Sequence, residues 1–246
     1  MLLAINIGNT NISFALFRGE KIKTCWDIPL KKYSKASLAR RLSGNKINAA
    51  LICSVMPEIS GKLSKDIRSL SGIKALFIGK DIRVPMKTVY QRRQLGCDRL
   101  LNVYAASKIY KAPVVIVSCG TALTIDAVSK DMLHLGGFIM PGLQLSLTAL
   151  NLGTAQLPSI EIGTPSGLLG KNTRTSMLNG VILGAGASLS VLIEKIILKT
   201  GKRTKVVGTG GGIKLVSKFT RGIKIIDTKI TLKGIALVYE NTENAD

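Results

Sequence analysis

Residues 4–11 read Ala-Ile-Asn-Ile-Gly-Asn-Thr-Asn, and residues 116–126 read Ile-Val-Ser-Cys-Gly-Thr-Ala-Leu-Thr-Ile-Asp. Each is a β-branched run broken by a Gly-Asn-Thr or Gly-Thr turn, and each then resumes as a second apolar run. That pattern predicts a strand–turn–strand, written twice. A hairpin tip made of glycine and hydroxyl residues offers backbone N–H groups and side-chain hydroxyls to a phosphate. Glycine recurs in Gly-Gly-Phe-Ile-Met-Pro-Gly (136–142) and in Gly208–Gly212. There it either admits close backbone approach to a ligand or simply turns the chain.

The elements that must carry these turns alternate between strand and helix. Strands are predicted at Leu2–Ile7, Ile12–Phe17 and Lys21–Ile28, with a turn at Arg18-Gly19-Glu20. A helix-prone stretch (Tyr33–Leu42), a strand (Ala49–Val55), an amphipathic helix (Ile59–Leu70) and a strand (Lys74–Ile78) follow. The spacing predicts a helix over Asp98–Tyr110, stopped by Lys111-Ala112-Pro113. The pattern then begins again: Val114–Val117, the second hairpin, and a strand near Met132–Leu135. Next come helices at Leu143–Leu150 and Thr175–Lys199, strands at Lys205–Val207 and Ile223–Ile226, and a C-terminal helix from about Lys233. Alternation of this kind argues for mixed α/β sheets. The halves divide near Pro113, giving expected domains 1–113 and 114–246. A repeated β-meander with helices resembles the ribonuclease-H-like repeat of the sugar-kinase superfold, although fold alone does not give function.

Composition excludes several classes. Hydrophobic residues at 46% and charged residues at 20% describe a folded globular chain and not a disordered one. No apolar run approaches a membrane span, and Val181–Ile193 reads as a buried helix, so no membrane partner is expected. No signal peptide is visible at the N-terminus. Cys25, Cys53, Cys97 and Cys119 are scattered without metal-like spacing; three sit in apolar or glycine-containing contexts and read as reduced, partly buried thiols, which suits the cytoplasm. A single histidine, His134, cannot build a multi-histidine zinc site and reads as a satisfied structural group. The 35 Lys+Arg against 14 Asp+Glu give a net charge of +21, which attracts polyanions at long range. Aromatics are only 4%, leaving few stacking platforms, so no specific nucleic acid is expected.

Seven local motifs occur in order: Ile-Gly-Asn-Thr-Asn-Ile (7–12), Ser-Val-Met-Pro-Glu (54–58), Leu-Gly-Cys-Asp-Arg-Leu (95–100), Cys-Gly-Thr-Ala (119–122), Leu-Gly-Gly-Phe-Ile-Met-Pro-Gly-Leu (135–143), Leu-Gly-Lys-Asn-Thr (169–173) and Thr-Gly-Gly (209–211). Together they resemble the type III pantothenate kinases of the actin/hexokinase/Hsp70-like superfamily, across nearly the whole chain. The resemblance implies two ribonuclease-H-like, actin/sugar-kinase-type domains with an ATP cleft between them. It implies ATP-dependent phosphorylation of pantothenate, the first step to coenzyme A, by a homodimer using Mg²⁺ and a monovalent cation such as K⁺ or NH₄⁺. By position, Asn6, Ile7, Gly8, Asn9, Thr10, Asn11, Ile12 and Ser13 match the family's first phosphate loop, and Thr121 its second. Asp98 matches the proton acceptor. Tyr90, Gly96, Cys97, Asp98, Arg99 and Thr173 match substrate contacts. A carboxylate at Asp98 would align the pantothenate hydroxyl and take its proton, and the Arg99 guanidinium suits a carboxylate or phosphate oxygen. The same pair would also serve as a helix cap with a surface charge, and Thr173 as a cap for the helix after it.

The chain departs from the family at two carboxylates. Asn6 stands in place of the aspartate that organises metal and phosphates, and Ser118 in place of the aspartate assigned to the monovalent cation. Asparagine keeps the shape, drops the charge and gains a donor. Asp126, at the end of the second hairpin, is expected as a substitute acid of the metal shell. Arg92-Arg93 are expected to alter which acid or polyanion fits. Beside the kinase reading stand two alternatives: a catalytically impaired member acting as a ligand-binding or regulatory protein, and a kinase for another small hydroxyl substrate.

Overall fold

The computed structural model describes residues 1–243 of the 246. The chain groups into two compact units, one of Met1–Met86, Gln91–Ala105 and the chain from Lys229 onward, the other of Lys87–Tyr90 and Ala106–Thr228.

In the first unit, β1 (Leu2–Ile7), β2 (Asn11–Arg18) and β3 (Lys21–Pro29) form an antiparallel meander, followed by α1 (Lys35–Leu42), β4 (Ala49–Ser54), α2 (Pro57–Ser71) and β5 (Leu76–Phe77). The sheet order is β3-β2-β1-β4-β5, with β4 parallel to β1 and β5 parallel to β4. Strand β1 is buried at nearly every position, as a central strand covered on both faces requires. Helix α1 is started by Ser34, whose hydroxyl accepts from the Ser37 N–H. Helix α2 opens on Pro57, where a missing N–H costs nothing, and closes on Gly72 at φ 74°. Phe14 and Trp26 stack in the core with ring centroids 5.2 Å apart.

A two-residue strand, β6 (Lys87–Thr88), and then α3 (Cys97–Tyr110) carry the chain into the second unit. There β7 (Val114–Cys119), β8 (Ala122–Val128) and β9 (Leu133–Pro141) repeat the meander, followed by α4 (Leu143–Leu152), α5 (Thr173–Thr200), β10 (Lys205–Thr209), α6 (Ile213–Val216) and β11 (Ile225–Ile226). The order β11-β10-β7-β8-β9-β6 reproduces the first sheet strand for strand, with β6 added in parallel beside β9. The repeat foreseen in the sequence is therefore present, in mixed sheets flanked by helices.

The units divide the chain differently from 1–113 and 114–246. The last helix, α7 (Ile230–Glu243), belongs to the first unit: Ile230, Leu232, Ile235 and Val238 are buried, and Thr231 Oγ1 donates to Asn102 Oδ1 on α3 at 2.7 Å. Gly234 lets the two helices close up, since a Cβ there would stand 2.9 Å from the Leu101 carbonyl oxygen. Strand β6 had no signal of its own, being too short to show a period.

Two other expectations are corrected. Helix α5 is not a buried helix: its 28 residues are long and apolar enough to cross a membrane by length and composition, and only 22% of its apolar window is buried. One stripe, including Ile182, Gly186, Leu189 and Ile193, faces the core, while Val191 and Leu198 are exposed. The cysteines are not all reduced: Cys53, at the end of β4, is joined to Cys97, at the start of α3, with Cα atoms 6.4 Å apart. That spacing is ordinary for a disulfide, and a sequence separation of 44 hid it from any spacing rule. Cys25 and Cys119 remain free. Peptide mapping without reductant should recover residues 53 and 97 cross-linked, and reduction should lower unfolding stability by about 2–4 kcal/mol through the released loop. Recovery of both residues as free thiols from protein purified without reductant would contradict the pairing.

Candidate active site

The first hairpin tip is Gly8–Thr10, between β1 and β2. The Gly8 N–H is spent in closing the turn on the Asn11 carbonyl (3.0 Å), and the Thr10 carbonyl accepts from Leu30 N–H (2.9 Å). Ile7 and Ile12 pair with each other and are buried, so they shape the loop from below, while Asn9, Thr10 and Asn11 are exposed at its tip. Behind the tip, one rung of the sheet carries Asp27, Ser13, Asn6 and Cys53 side by side on β3, β2, β1 and β4. Directly paired residues project to the same face. Ser13 donates its hydroxyl to Asp27 Oδ1 at 2.5 Å, and Lys229 approaches the other carboxylate oxygen at 3.6 Å. Asn6 therefore lacks a charge of its own but shares a rung with one.

The second tip, Gly120–Thr121, is built alike: Gly120 N–H closes on the Ala122 carbonyl at 2.9 Å, and Thr121 is exposed. Its corresponding rung carries Thr124, Ser118 and Thr209 on β8, β7 and β10, three hydroxyls with no carboxylate. Ser118 is half-buried and the two threonines are buried. Glycines crowd around this tip for steric reasons. A Cβ on Gly142 would stand 2.2 Å from the Gly120 carbonyl oxygen, and one on Gly210 2.5 Å from that of Cys119. Cys119 lies beneath the tip, where burial pushes its thiol up to about 11.

Asp98 stands in the first turn of α3, where a carboxylate is favoured by the helix N-terminus. Its Oδ1 accepts from Arg99 N–H at 2.8 Å, and Gly96 leaves room for it: a Cβ there would lie 2.6 Å from that oxygen. Asp98 is half-buried. Arg99 is only 8% exposed and already engaged with the protein. The cross-link from Cys97 to Cys53 sets Asp98 next to the residue that pairs with Asn6. The first unit thus brings together the hairpin, its rung and the carboxylate.

In the second unit, Tyr90 is half-buried against β9, its ring stacked on His134 with centroids 5.7 Å apart. Gly136, at φ 104°, leaves room for it, since a Cβ would sit 3.4 Å from the tyrosine ring. Thr173 is exposed at the first turn of α5. The cap is Asn172 and not Thr173: its side chain accepts from Thr175 N–H at 2.9 Å.

Three expectations about side chains change. Asp126 is 2% exposed and committed to His134, whose Nε2 lies 2.9 Å from its Oδ1, so it does not stand as a replacement metal-shell acid. Arg92 donates to the carbonyls of Val84 and Met86, which ties its guanidinium to the chain before it, and both Arg92 and Arg93 are exposed. Cys97 has no free thiol in the cross-linked form. His134, by contrast, is the satisfied structural histidine that was expected, fully buried with both ring nitrogens partnered. Among the described residues no three His, Cys, Asp or Glu converge as a metal cluster.

A family model described as type III pantothenate kinase matches residues 2–195. A type III pantothenate kinase of Agathobacter rectalis is 35% identical over 97% of this chain and 96% of its own length. One from Finegoldia magna is 33% identical over 99% and 98%. Among solved structures, a Baf family protein of Campylobacter jejuni superposes with a TM-score of 0.63 at 20% identity, covering 98% of this chain and 99% of its own. Component A of the (R)-2-hydroxyglutaryl-CoA dehydratase of Acidaminococcus fermentans gives 0.55 at 13%, covering 100% and 99%. At such identities the structures speak for the fold alone.

Proposed function

We propose a reaction scheme for this chain on the premise that it belongs to the type III pantothenate kinase family. It is a kinase that transfers the γ-phosphoryl group of ATP to pantothenate, opening the route to coenzyme A. The observation that carries the assignment of roles is the junction of the first hairpin with α3, which keeps Asp98 beside the Asn6 rung. In this scheme Asp98 orients the pantothenate hydroxyl and takes its proton. The hydroxyl oxygen bonds to the γ-phosphorus, the bridging oxygen bond to it breaks, and ADP leaves. Residues Asn6–Ser13 and Thr121 hold the phosphates, and Tyr90, Gly96, Cys97, Arg99 and Thr173 form the acceptor side. Cys97 and Arg99 serve there through position: the first anchors the loop and the second is buried beneath it.

The divalent metal of a kinase supplies charge neutralisation at the phosphates. Neutral oxygens from Asn6 and Ser13 fit a metal carried chiefly by phosphates and water, as Mg²⁺ commonly is. The Ser118 rung offers a monovalent cation hydroxyl oxygens and no carboxylate, so we assign no strong K⁺ or NH₄⁺ requirement to this chain.

The homodimer of the family has a physical counterpart in α5. Its exposed stripe includes Gly180, Gly184, Ala187, Val191 and Leu198. A Cβ at Gly180 or Gly184 would meet nothing within 4 Å, so nothing among the described residues requires glycine there. Close approach of a second helix would.

Mass spectrometry of a reaction with ATP, Mg²⁺ and pantothenate should show 4′-phosphopantothenate, and Asp98→Asn should lower kcat by about 10²–10⁴-fold. Rates with K⁺, NH₄⁺ or Na⁺ should agree within about twofold, since no carboxylate recruits the ion. No phosphorylated product from the unaltered protein would overturn the reading. Sedimentation should give a dimer that Gly184→Leu converts to monomer; a monomeric unaltered protein would remove α5 as an interface.

A further inference from the structure

Behind Tyr90 lies a buried polar chain that the proposed reaction does not use. His134 is 0% exposed and Asp126 2%, and their side chains meet at 2.9 Å. The other ring nitrogen, Nδ1, lies 2.8 Å from Thr88 Oγ1, which in turn accepts from the Tyr90 backbone N–H at 3.1 Å. Asp126 accepts from His134 Nε2 and Thr88 accepts from the Tyr90 N–H; in the tautomer protonated at Nε2, Nδ1 accepts from the Thr88 hydroxyl, and the directions along the chain agree.

The residue at the end of this chain follows a very short strand. Strand β6 is two residues long, pairing Lys87 with Leu133 and Thr88 with His134, and its last ladder bond runs from Val89 N–H to the His134 carbonyl at 3.1 Å. Tyr90 lies one residue beyond. Its backbone is held by the Thr88 hydroxyl, and its ring lies on the His134 imidazole at an interplanar angle of 17°. One buried histidine therefore fixes the tyrosine twice, through Thr88 at the main chain and by stacking at the ring.

We infer that Thr88, His134 and Asp126 are positioning residues for the acceptor substrate, holding Tyr90 as a preset wall of the pantothenate site. A buried network with all its members satisfied is rigid and specifies one geometry. A wall fixed before binding spares the substrate the cost of ordering it. The inference rests on the reading of Tyr90 as an acceptor contact. Because the network acts on the acceptor side only, its loss should appear in the KM for pantothenate and not in that for ATP.

Thr88→Val keeps the side-chain shape and removes both hydrogen bonds; Thr88→Ser keeps the hydroxyl and removes a methyl group. Thr88→Val should raise the pantothenate KM by about five- to tenfold, the scale of one or two lost hydrogen bonds, with the KM for ATP unchanged. Thr88→Ser should restore the value of the unaltered protein. In parallel, amide hydrogen exchange at Tyr90 should speed up in Thr88→Val and return to normal in Thr88→Ser, a readout independent of turnover. Unchanged exchange at Tyr90 would overturn the anchoring. Faster exchange with an unaltered pantothenate KM would overturn its link to substrate, as would equal damage from Val and Ser. An unaltered protein that neither binds nor phosphorylates pantothenate would overturn the reading of the site, and the substrate role inferred here with it, while the exchange data would still report whether Thr88 anchors Tyr90.

Discussion

The start of α3 is held to the end of β4 by Cys53 and Cys97, and the chemistry assigned to the first unit depends on that junction. Strand β4 runs parallel to β1 in a register that sets Cys53 beside Asn6, so whatever fixes Cys97 also fixes Asp98 relative to the first hairpin. Gly96 completes the arrangement by leaving space for the Asp98 carboxylate, which a side chain at that position would displace. From the other side, α7 packs on α3 through Thr231 and Gly234. Phosphoryl transfer asks little covalent chemistry of a protein and much positioning, so a constrained helix start is the kind of support it needs.

Charge is the second theme. The two sheets present equivalent rungs, Asp27–Ser13–Asn6–Cys53 in one and Thr124–Ser118–Thr209 in the other. Neither central strand carries a carboxylate at its rung, and the chain as a whole has a net charge of +21. A positive surface favours the approach of ATP and lowers the need for protein anions that recruit cations. Neutral side chains on the two central strands, Asn6 and Ser118, suit a metal that arrives with the nucleotide. The cost falls on transition-state electrostatics, where a lost charge partner at a phosphoryl centre is worth on the order of 10²–10³-fold in rate.

Much of the architecture was legible because its signals are local. The β-branched runs broken by Gly-Asn-Thr and Gly-Thr announced both hairpins, and the repeated order of strands and helices announced the duplicated sheet. What escaped depends on contacts remote in sequence. Strand β6 exists only because β9 offers it an edge, and α7 joins the first unit because its apolar face fits α3 and β1. The Cys53–Cys97 pair had no spacing signature. Helix α5 was legible as a helix but not as an exposed one, since its buried and exposed faces are both apolar. Among site residues, types were readable and partners were not. Arg92 and Asp126 look available as charges in the sequence, yet the fold spends one on backbone carbonyls and the other on His134.

The central claim is that this arrangement turns over without the two carboxylates. The most direct measurement is the rate of pantothenate-dependent ADP release by the unaltered protein, beside an Asn6→Asp/Ser118→Asp double variant. The account predicts turnover in the unaltered protein, dependent on pantothenate. Silence in the unaltered protein with activity appearing in the double variant would contradict it, and would mean an intact scaffold around a site that had lost its catalysis.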